Sequence, residues 1–367
     1  MPAPCVSVLM TTYNGGATIA ASIDSILAQS FRDFELIVVD DGSTDETGAI
    51  LARIGDPRLR VLRMDRKSGI VAARNHGFAF VRGRYVAPLD HDDLSDASRL
   101  ARQVAFLDAN PGVALVATEI RIARNGKLSA PHHPTAGDAL AQRWLLLIDN
   151  PLTWSSVMFR TDAVQRLGAF LRADYELADD FDFYHRLLGI GDIVRLDEVL
   201  TTYRYHAANA SRARAEALNA SATRVLSDAY ASLLGDGAAA ELVIRHLSDR
   251  QPVPDAVTLR RIGDVLERLL ERFCTAHDLS AAERRCIGEL AGEAWWRTAR
   301  GAIRRGAPSM LRQYRARPVL SVGFRPAFAD VAASVAIGTV RALRDGEPRT
   351  MAPPSTRPSP LKDEGEG

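Results

Sequence analysis

The chain has 367 residues, 47% hydrophobic and 25% charged, with a formal net charge of +1. This composition excludes disorder or a collagen-like repeat for the bulk of the chain, and the length points to about two domains. Near-neutrality argues against a dedicated nucleic-acid binder, which would carry a strong basic excess.

Two hydrophobic periods alternate over the first 120 residues. Val6 to Met10 reads as a strand, and Ile19, Ile23, Ile26 and Leu27 follow at helical spacing. Phe34 to Val39 is a second strand, closed by Asp40-Asp41-Gly42. Ser43 and Glu46 have capping-box spacing, which predicts a helix start there. Leu59 to Met64, Tyr85 to Leu89 and Val113 to Thr118 are three further strands. Between them, Ile70, Ala73, Gly77 and Phe80 mark one helix, and Leu100, Val104 and Leu107 another. Strand-helix alternation with continuous apolar strands predicts a parallel sheet covered on both faces. Beyond it, strands are expected at Ser156 to Phe159 and Thr201 to Tyr205, with helices at Asp162 to Leu167 and Phe181 to Leu188. From about residue 212 the chain is Ala-, Leu- and Arg-rich with helical patterns, and from about Pro353 its composition predicts disorder.

In such sheets ligands bind beyond the carboxyl ends of the strands, and five polar clusters fall at candidate positions. Leu89-Asp90-His91-Asp92-Asp93 puts three carboxylates within four residues. They repel one another without a cation and are hard oxygen ligands suited to Mg²⁺ or Mn²⁺. Asp40-Asp41 could accept a ring N–H such as that of uracil, while Gly42 and Ser43 serve a turn. Lys67-Ser68-Gly69-Ile70 leads into a helix carrying Arg74, where an anion would be favoured. Ala178-Asp179-Asp180-Phe181 offers a general base, since a carboxylate beside another carboxylate or in an apolar wall has a raised proton affinity. Tyr203-Arg204-Tyr205-His206 places His206 at a strand end as a metal or phosphate ligand.

Taken in order, seven segments resemble the family-2 inverting glycosyltransferases, which have the GT-A fold. They are Val6 to Asn14, Val38 to Asp45, Ala73 to Gly77, Leu89 to Asp93, Leu167 to Phe170, Ala178 to Asp182 and Tyr203 to His206, together covering residues 4 to about 211. The resemblance implies an α/β catalytic domain over residues 1–211, Rossmann-like with a mostly parallel sheet flanked by helices. An α-helical C-terminal region over 212–350 and a disordered tail over 351–367 complete the expected organisation. It implies that Thr11, Tyr13, Asp40 or Asp41, Arg74 and Asp90 hold the nucleotide and that Asp92, Asp93 and His206 hold Mn²⁺ or Mg²⁺. Asp180 would be the catalytic base. The family's usual Glu-Asp pair is here Asp179-Asp180, which shortens the first side chain and keeps Asp179 beside Asp180 as a candidate. The donor would be a nucleotide-diphosphate sugar, UDP-linked by family habit, and the acceptor a hydroxyl of a glycan or lipid-linked glycan in bacterial cell-surface synthesis.

Processive synthases of this fold carry a Gln-x-x-Arg-Trp motif after the base. Here Gln142-Arg143-Trp144 is contiguous and precedes Asp180, so it reads as part of an ordinary helix. A nucleotidyltransferase would be expected to carry a Lys-containing phosphate loop near the first strand, and Gly15-Gly16 lacks one. A non-catalytic carbohydrate- or partner-binding module is the third reading, opposed by the intact Asp92, Asp93 and Asp180.

Three separated cysteines, Cys5, Cys274 and Cys286, give no disulfide framework. The N-terminus lacks the basic region of a signal peptide. The longest apolar run, Val331 to Val340, is short of the roughly 20 residues a bilayer requires. A cytoplasmic location follows as the expectation, at most peripheral at the inner face of the membrane. In the C-terminal third, Ile262, Leu266, Leu269, Leu270 and Phe273 predict a packed helix. Trp295 and Trp296 are adjacent, so one is expected in the core and the other at an interface. Residues 297–349 hold 11 arginines against Asp330, Asp345 and Glu347, interleaved with apolar residues. That pattern suits an anionic membrane surface or a subunit contact, leaving an oligomer open.

Overall fold

The computed structural model describes residues 3–129, 137–206 and 214–346, leaving out the side chains of 321–323 and 345–346. The tail over 351–367 and the expected boundary at 211/212 lie outside the described residues.

Among the described residues, nine strands form one sheet: β1 (Val6–Thr12), β2 (Phe34–Asp40), β3 (Leu59–Arg63), β4 (Tyr85–Pro88), β5 (Leu94–Ser95), β6 (Val113–Arg124), β7 (Lys127–Ser129), β8 (Val157–Arg160) and β9 (Asp192–Arg204). Their order is β3-β2-β1-β4-β8-β6-β9-β5, with β7 paired to β6. The four strands β3, β2, β1 and β4 run parallel, as expected. The rest of the sheet is mixed: β8 enters antiparallel between β4 and β6, and β5 pairs antiparallel to β9. The α/β fold class therefore stands, with a parallel half and a mixed half. The final strand begins at Asp192, well before the expected Thr201, because charged residues interrupt its apolar pattern.

Alternation along the strands sends side chains to two cores. Val6, Val8, Met10, Leu36 and Val38 meet Ile19, Ile23, Ile26, Leu100, Val104 and Leu107 on one face. These come from α1 (Ile19–Leu27) and α4 (Arg99–Ala109), with α2 (Thr47–Ala52) and α3 (Ile70–Phe78) lying between them in the chain. On the other face Leu9, Ile37, Val39, Val86, Leu115 and Phe159 pack against α3 and α7 (Asp179–Leu187) through Val71, Ala73, Phe181 and Phe183. A Cβ at Gly77 would sit 2.5 Å from Leu9 Cδ1 and 2.7 Å from Val39 Cγ2, so only glycine lets α3 lie this close to the sheet. The short helices α5 (Ala139–Leu145) and α6 (Thr161–Arg166) complete this layer. Trp144 of the contiguous Gln-Arg-Trp run is buried within α5, in keeping with its reading as part of an ordinary helix.

The capping box at Ser43 and Glu46 does not form. The helix starts later, at Thr47, and Asp45 Oδ1 accepts from the Thr47 N–H at 3.0 Å and from its hydroxyl. Ser43 Oγ instead accepts from the Asn14 N–H at 2.9 Å.

The C-terminal third is helical: α8 (Ala215–Leu234), α9 (Ala240–Val243), α10 (Ala256–Ala276), α11 (Ala281–Arg304), α12 (Met310–Arg315), α13 (Pro318–Gly323) and α14 (Phe328–Gly346). Asp255 caps α10 by accepting from the Thr258 N–H, and Ser280 with Glu283 forms a reciprocal capping box on α11. The apolar stripe of α10 is buried as its spacing predicts. This region continues the second core rather than standing apart. Trp144 meets the Phe273 ring edge-on at 5.4 Å, and the Tyr230 hydroxyl donates to the Leu147 carbonyl at 2.5 Å. Trp295 and Trp296 are both buried, contrary to the expectation of one at an interface. Adjacent indoles can both be enclosed because neighbours arrive from two sides: Trp295 Nε1 donates to the Tyr314 carbonyl at 3.3 Å and Trp296 Nε1 to Asp330 at 3.0 Å.

Candidate active site at the carboxyl ends of the strands

The strand order reverses between β1 and β4, the switch point at whose carboxyl ends such sheets bind ligands, and the polar clusters converge there. Asp90 N–H donates to Ser155 Oγ at 3.0 Å, and Asp93 N–H closes a turn onto the Asp90 carbonyl. This turn gathers Asp90, Asp92 and Asp93 so that one carboxylate oxygen from each lies within 4.8 Å of the others. Asp92 faces His206, with Oδ2 and Nε2 2.9 Å apart. Asp93 is fully buried; its Oδ1 accepts from the Arg204 N–H at 3.0 Å, and its Oδ2 is enclosed with no hydrogen-bond donor among the described residues. Burial, then the neighbouring Asp90 and Asp92, push the Asp93 carboxyl well above the usual range. Burial also raises Asp90, with Arg74 pulling in the opposite direction. Such a cluster carries an electrostatic penalty that a divalent cation relieves. The enclosed oxygen and a donor set of three carboxylates with one imidazole beside them fit a cation of the Mg²⁺ or Mn²⁺ type.

Arg74 is the hinge of the site. Its Nη1 donates to Asp179 at 2.7 Å and its Nη2 to Asp90 at 3.0 Å, while its guanidinium lies 4.4 Å above the Trp154 ring. The sequence offered Arg74 to a phosphate. In the structure both terminal nitrogens are engaged by carboxylates and the side chain is buried. Its charge instead joins the acidic turn to the Asp179-Asp180 pair.

Those two neighbours have separate surroundings. Asp179 is buried and turned to Arg74. Asp180 is half-buried, with Oδ2 accepting from Asn150 Nδ2 at 3.2 Å and Oδ1 from the Phe181 N–H at 2.7 Å. Burial and the adjacent Asp179 push its carboxyl up to about 7, against the lowering influence of Arg74 and the two hydrogen bonds. That value suits proton abstraction near neutral pH.

The residues expected to hold a nucleoside line the same edge. Lys67 Nζ lies 3.9 Å over the Tyr13 ring. Asp41 accepts from the Ser68 and Gly69 N–H groups at 2.7 and 2.9 Å, fixing the loop that leads into α3. Asp40 is buried and accepts from the Ser43 N–H at 2.9 Å. Thr11 is buried, and its carbonyl lies 3.3 Å from His91 Nδ1. Asp40 and Asp41 thus hold the turns that shape this wall.

Asn150, Trp154, Ser155 and Arg204 were not among the expected site residues. Arg204 stood inside the quoted Tyr203 to His206 segment; its Nη2 donates to Ser22 Oγ at 2.7 Å and its Nε to the Asp92 carbonyl. The other three lie in segments without a distinguishing pattern. A hollow of about 890 Å³ at the opposite, amino ends of the strands has walls of Arg82, Arg84, Asp108 and Arg160. Arg82 is paired to Glu35 and Arg84 to Asp108, and none of the catalytic candidates lies there.

Residues 7–168 match the family model described as glycosyl transferase family 2. An uncharacterized glycosyltransferase of Haemophilus influenzae is 28% identical over 214 residues, covering 55% of this chain and 66% of the relative. The succinoglycan biosynthesis protein ExoO of Rhizobium meliloti is 43% identical over 106 residues, 29% of this chain and 30% of the relative. A UDP-Glc:alpha-D-GlcNAc-diphosphoundecaprenol beta-1,3-glucosyltransferase of Escherichia coli, WfgD, is 37% identical over 105 residues, 29% of this chain and 42% of the relative. The matched segments therefore span less than two thirds of these relatives' lengths. Among solved structures, S. aureus TarS 1-349 in complex with UDP-GlcNAc superposes with a TM-score of 0.52 at 18% identity, over 94% of this chain and 92% of TarS 1-349. The fold is that of GT-A proteins, and residues 7–168 are similar to the family 2 glycosyltransferases.

Proposed function

We propose that the protein is a metal-dependent, inverting glycosyltransferase that moves a sugar from a nucleoside-diphosphate donor, UDP-linked, to an acceptor hydroxyl. The observation that carries this reading is the single buried bridge from Asp90 through Arg74 to Asp179, which ties a cation-type carboxylate cluster to a base with a raised proton affinity.

Asp90, Asp92, Asp93 and His206 would hold the cation. When bound, Mg²⁺ or Mn²⁺ supplies neutralisation of the charge that develops on the departing diphosphate. Tyr13, Lys67 and the wall fixed by Asp40 and Asp41 would receive the nucleoside. Asp180 takes the proton of the acceptor hydroxyl as its oxygen bonds to the anomeric carbon. The bond from that carbon to the diphosphate oxygen breaks on the opposite face, so one displacement inverts the configuration. Asn150 and the Phe181 N–H orient the Asp180 carboxylate, and Arg74 holds Asp179 away from the acceptor.

The named functions of the relatives support a place in bacterial surface-glycan synthesis. WfgD is named for a diphosphoundecaprenol-linked acceptor and TarS was solved with UDP and UDP-GlcNAc. A glycan or lipid-linked acceptor met at the cytoplasmic side of the membrane is the matching assignment here.

A thermal-shift panel of nucleotides and nucleotide sugars, with and without Mn²⁺, tests the reading, because a ligand of the folded state raises stability by mass action. Stabilisation by a UDP-sugar that grows with Mn²⁺ is expected. A shift indifferent to Mn²⁺ removes the cation from the scheme. No shift with any nucleotide, together with no sugar-nucleotide hydrolysis or transfer, removes the enzyme reading and leaves the binding-module alternative.

A further inference from the structure

The last described helix, α14, has two apolar faces, and among the described residues it packs mainly on α11. Toward the protein, α14 lies tightly on α11. A Cβ at Gly338 would fall 2.0 Å from the Ile303 carbonyl oxygen, so the two backbones touch there. Asp330 anchors the start of the helix through Trp296 Nε1 and Arg304 Nη2, both at 3.0 Å. Ser334 and Gly338 are buried on this face, and Val331 and Val335 are half-buried.

The opposite face carries Ala329, Ala333, Ala336, Val340 and Leu343 at alternating spacings of four and three, which place them on one side of a helix. All are exposed, Val340 by 58% and Leu343 by 68%, with Phe328 at 86% at the head of the helix. Arg344 is exposed beside this stripe and Arg325 precedes it, while the Arg341 Nη1 reaches back to donate to the Arg304 carbonyl at 3.0 Å. Among the described side chains of residues 297–344 the one acid, Asp330, is turned inward to Trp296, Arg300 and Arg304.

We propose that the outward face of α14 docks on an anionic lipid surface, its apolar stripe entering the headgroup boundary while Arg325 and Arg344 meet lipid phosphates. An apolar stripe flanked by cations is the pattern of an interfacial helix, and each cation near an anionic leaflet adds attraction that salt weakens. The exposed cations beside the stripe, Arg325 and Arg344, complement an anionic surface, and a second copy of the chain is the other outcome the test distinguishes. No described helix is long and apolar enough to cross a membrane, so the contact lies along the surface. The inference stands apart from the transfer chemistry, since α14 carries none of the residues assigned to it.

Flotation of the full chain with vesicles of phosphatidylglycerol mixed into phosphatidylcholine, against phosphatidylcholine alone, is the test. Binding to the anionic vesicles, weakened by high salt, is expected. The double variant Val340→Asp, Leu343→Asp is expected to lower the bound fraction about tenfold, and Arg325→Glu with Arg344→Glu to abolish the salt-sensitive part. All four side chains are exposed, and an unchanged melting temperature reports that the variants leave the fold intact. Flotation that is absent in the parent chain, or equal in parent and variants, overturns the proposal. So does a concentration-dependent dimer in light scattering that the same variants disperse, which would assign the stripe to a second copy.

Discussion

Arg74 Nη1 and Asp179 Oδ2 stand 2.7 Å apart in the protein interior, although 105 residues separate them in the chain. Because Arg74 Nη2 also holds Asp90, one cation fixes the distance between the acidic turn after β4 and the start of α7. A buried charge pair of this kind is costly to break from one side, since the partner is left uncompensated. Arg74→Met is therefore expected to destabilise the fold by about 3–5 kcal/mol, measured by urea denaturation. Arg74→Lys retains the charge, loses the fork, and should fall between the two.

The same substitution makes a second prediction that a purely structural role would not move. Arg74 lowers the proton affinity of Asp180. In any folded fraction of Arg74→Lys or Arg74→Met, the rising limb of kcat/KM against pH should shift upward. It should shift further for Met than for Lys. A limb that stays in place separates Arg74 from the base.

Asp180 itself links catalysis to stability. Its carboxyl titrates near 7 in the folded protein against an ordinary value of 3.8. Activity should rise as pH passes through about 7, because the base must lose its proton. The stability effect has the opposite sense: a raised folded value favours folding below about pH 4, and that contribution is lost as pH climbs to about 7. Asp180→Asn should lower kcat by about 10²–10⁴-fold with nucleotide binding retained. With a chelator present, its melting temperature should gain on the parent between pH 4 and 7 and hold that gain above. Retained transfer in this variant would return the role of base to Asp179.

Asp92 and His206 meet at 2.9 Å at the open side of the acidic cluster. Asp92→Asn and His206→Ala are each expected to weaken Mn²⁺ binding about 10- to 100-fold, read by calorimetry with the metal alone. The stabilisation that Mn²⁺ adds to a bound nucleoside diphosphate should shrink in parallel. Unaltered Mn²⁺ affinity in both variants would move the cation elsewhere.

Gly338 sets the seat of α14. Gly338→Val places a branched side chain against the Ile303 carbonyl and should cost about 1–3 kcal/mol by overpacking. Ala336→Val, on the exposed face of the same helix, should stay within about 0.5 kcal/mol of the parent. Equal melting curves for the two variants would mean that α14 does not rest on α11 as described.

Much was legible in the residues alone, for a physical reason in each case. Strands β1, β2 and β4 are continuous apolar runs because both faces of the parallel half are covered. The acidic turn after β4 and the Asp179-Asp180 pair are local in sequence, so their charge crowding is visible without a fold. The stripe of α10 has the 3.6-residue period of a helix with one buried face. Only the tertiary structure decided the rest, because it depends on contacts between distant segments. The antiparallel entry of β8 and the enclosure of both Trp295 and Trp296 depend on what packs against them. The Asn150 hydrogen bond to Asp180 and the place of Ser155 under Asp90 likewise join segments with no pattern of their own. Arg74 marks the boundary most plainly. Its sequence context suggested an anion, and the fold supplied two: the carboxylates of Asp90 and Asp179, brought to one buried guanidinium.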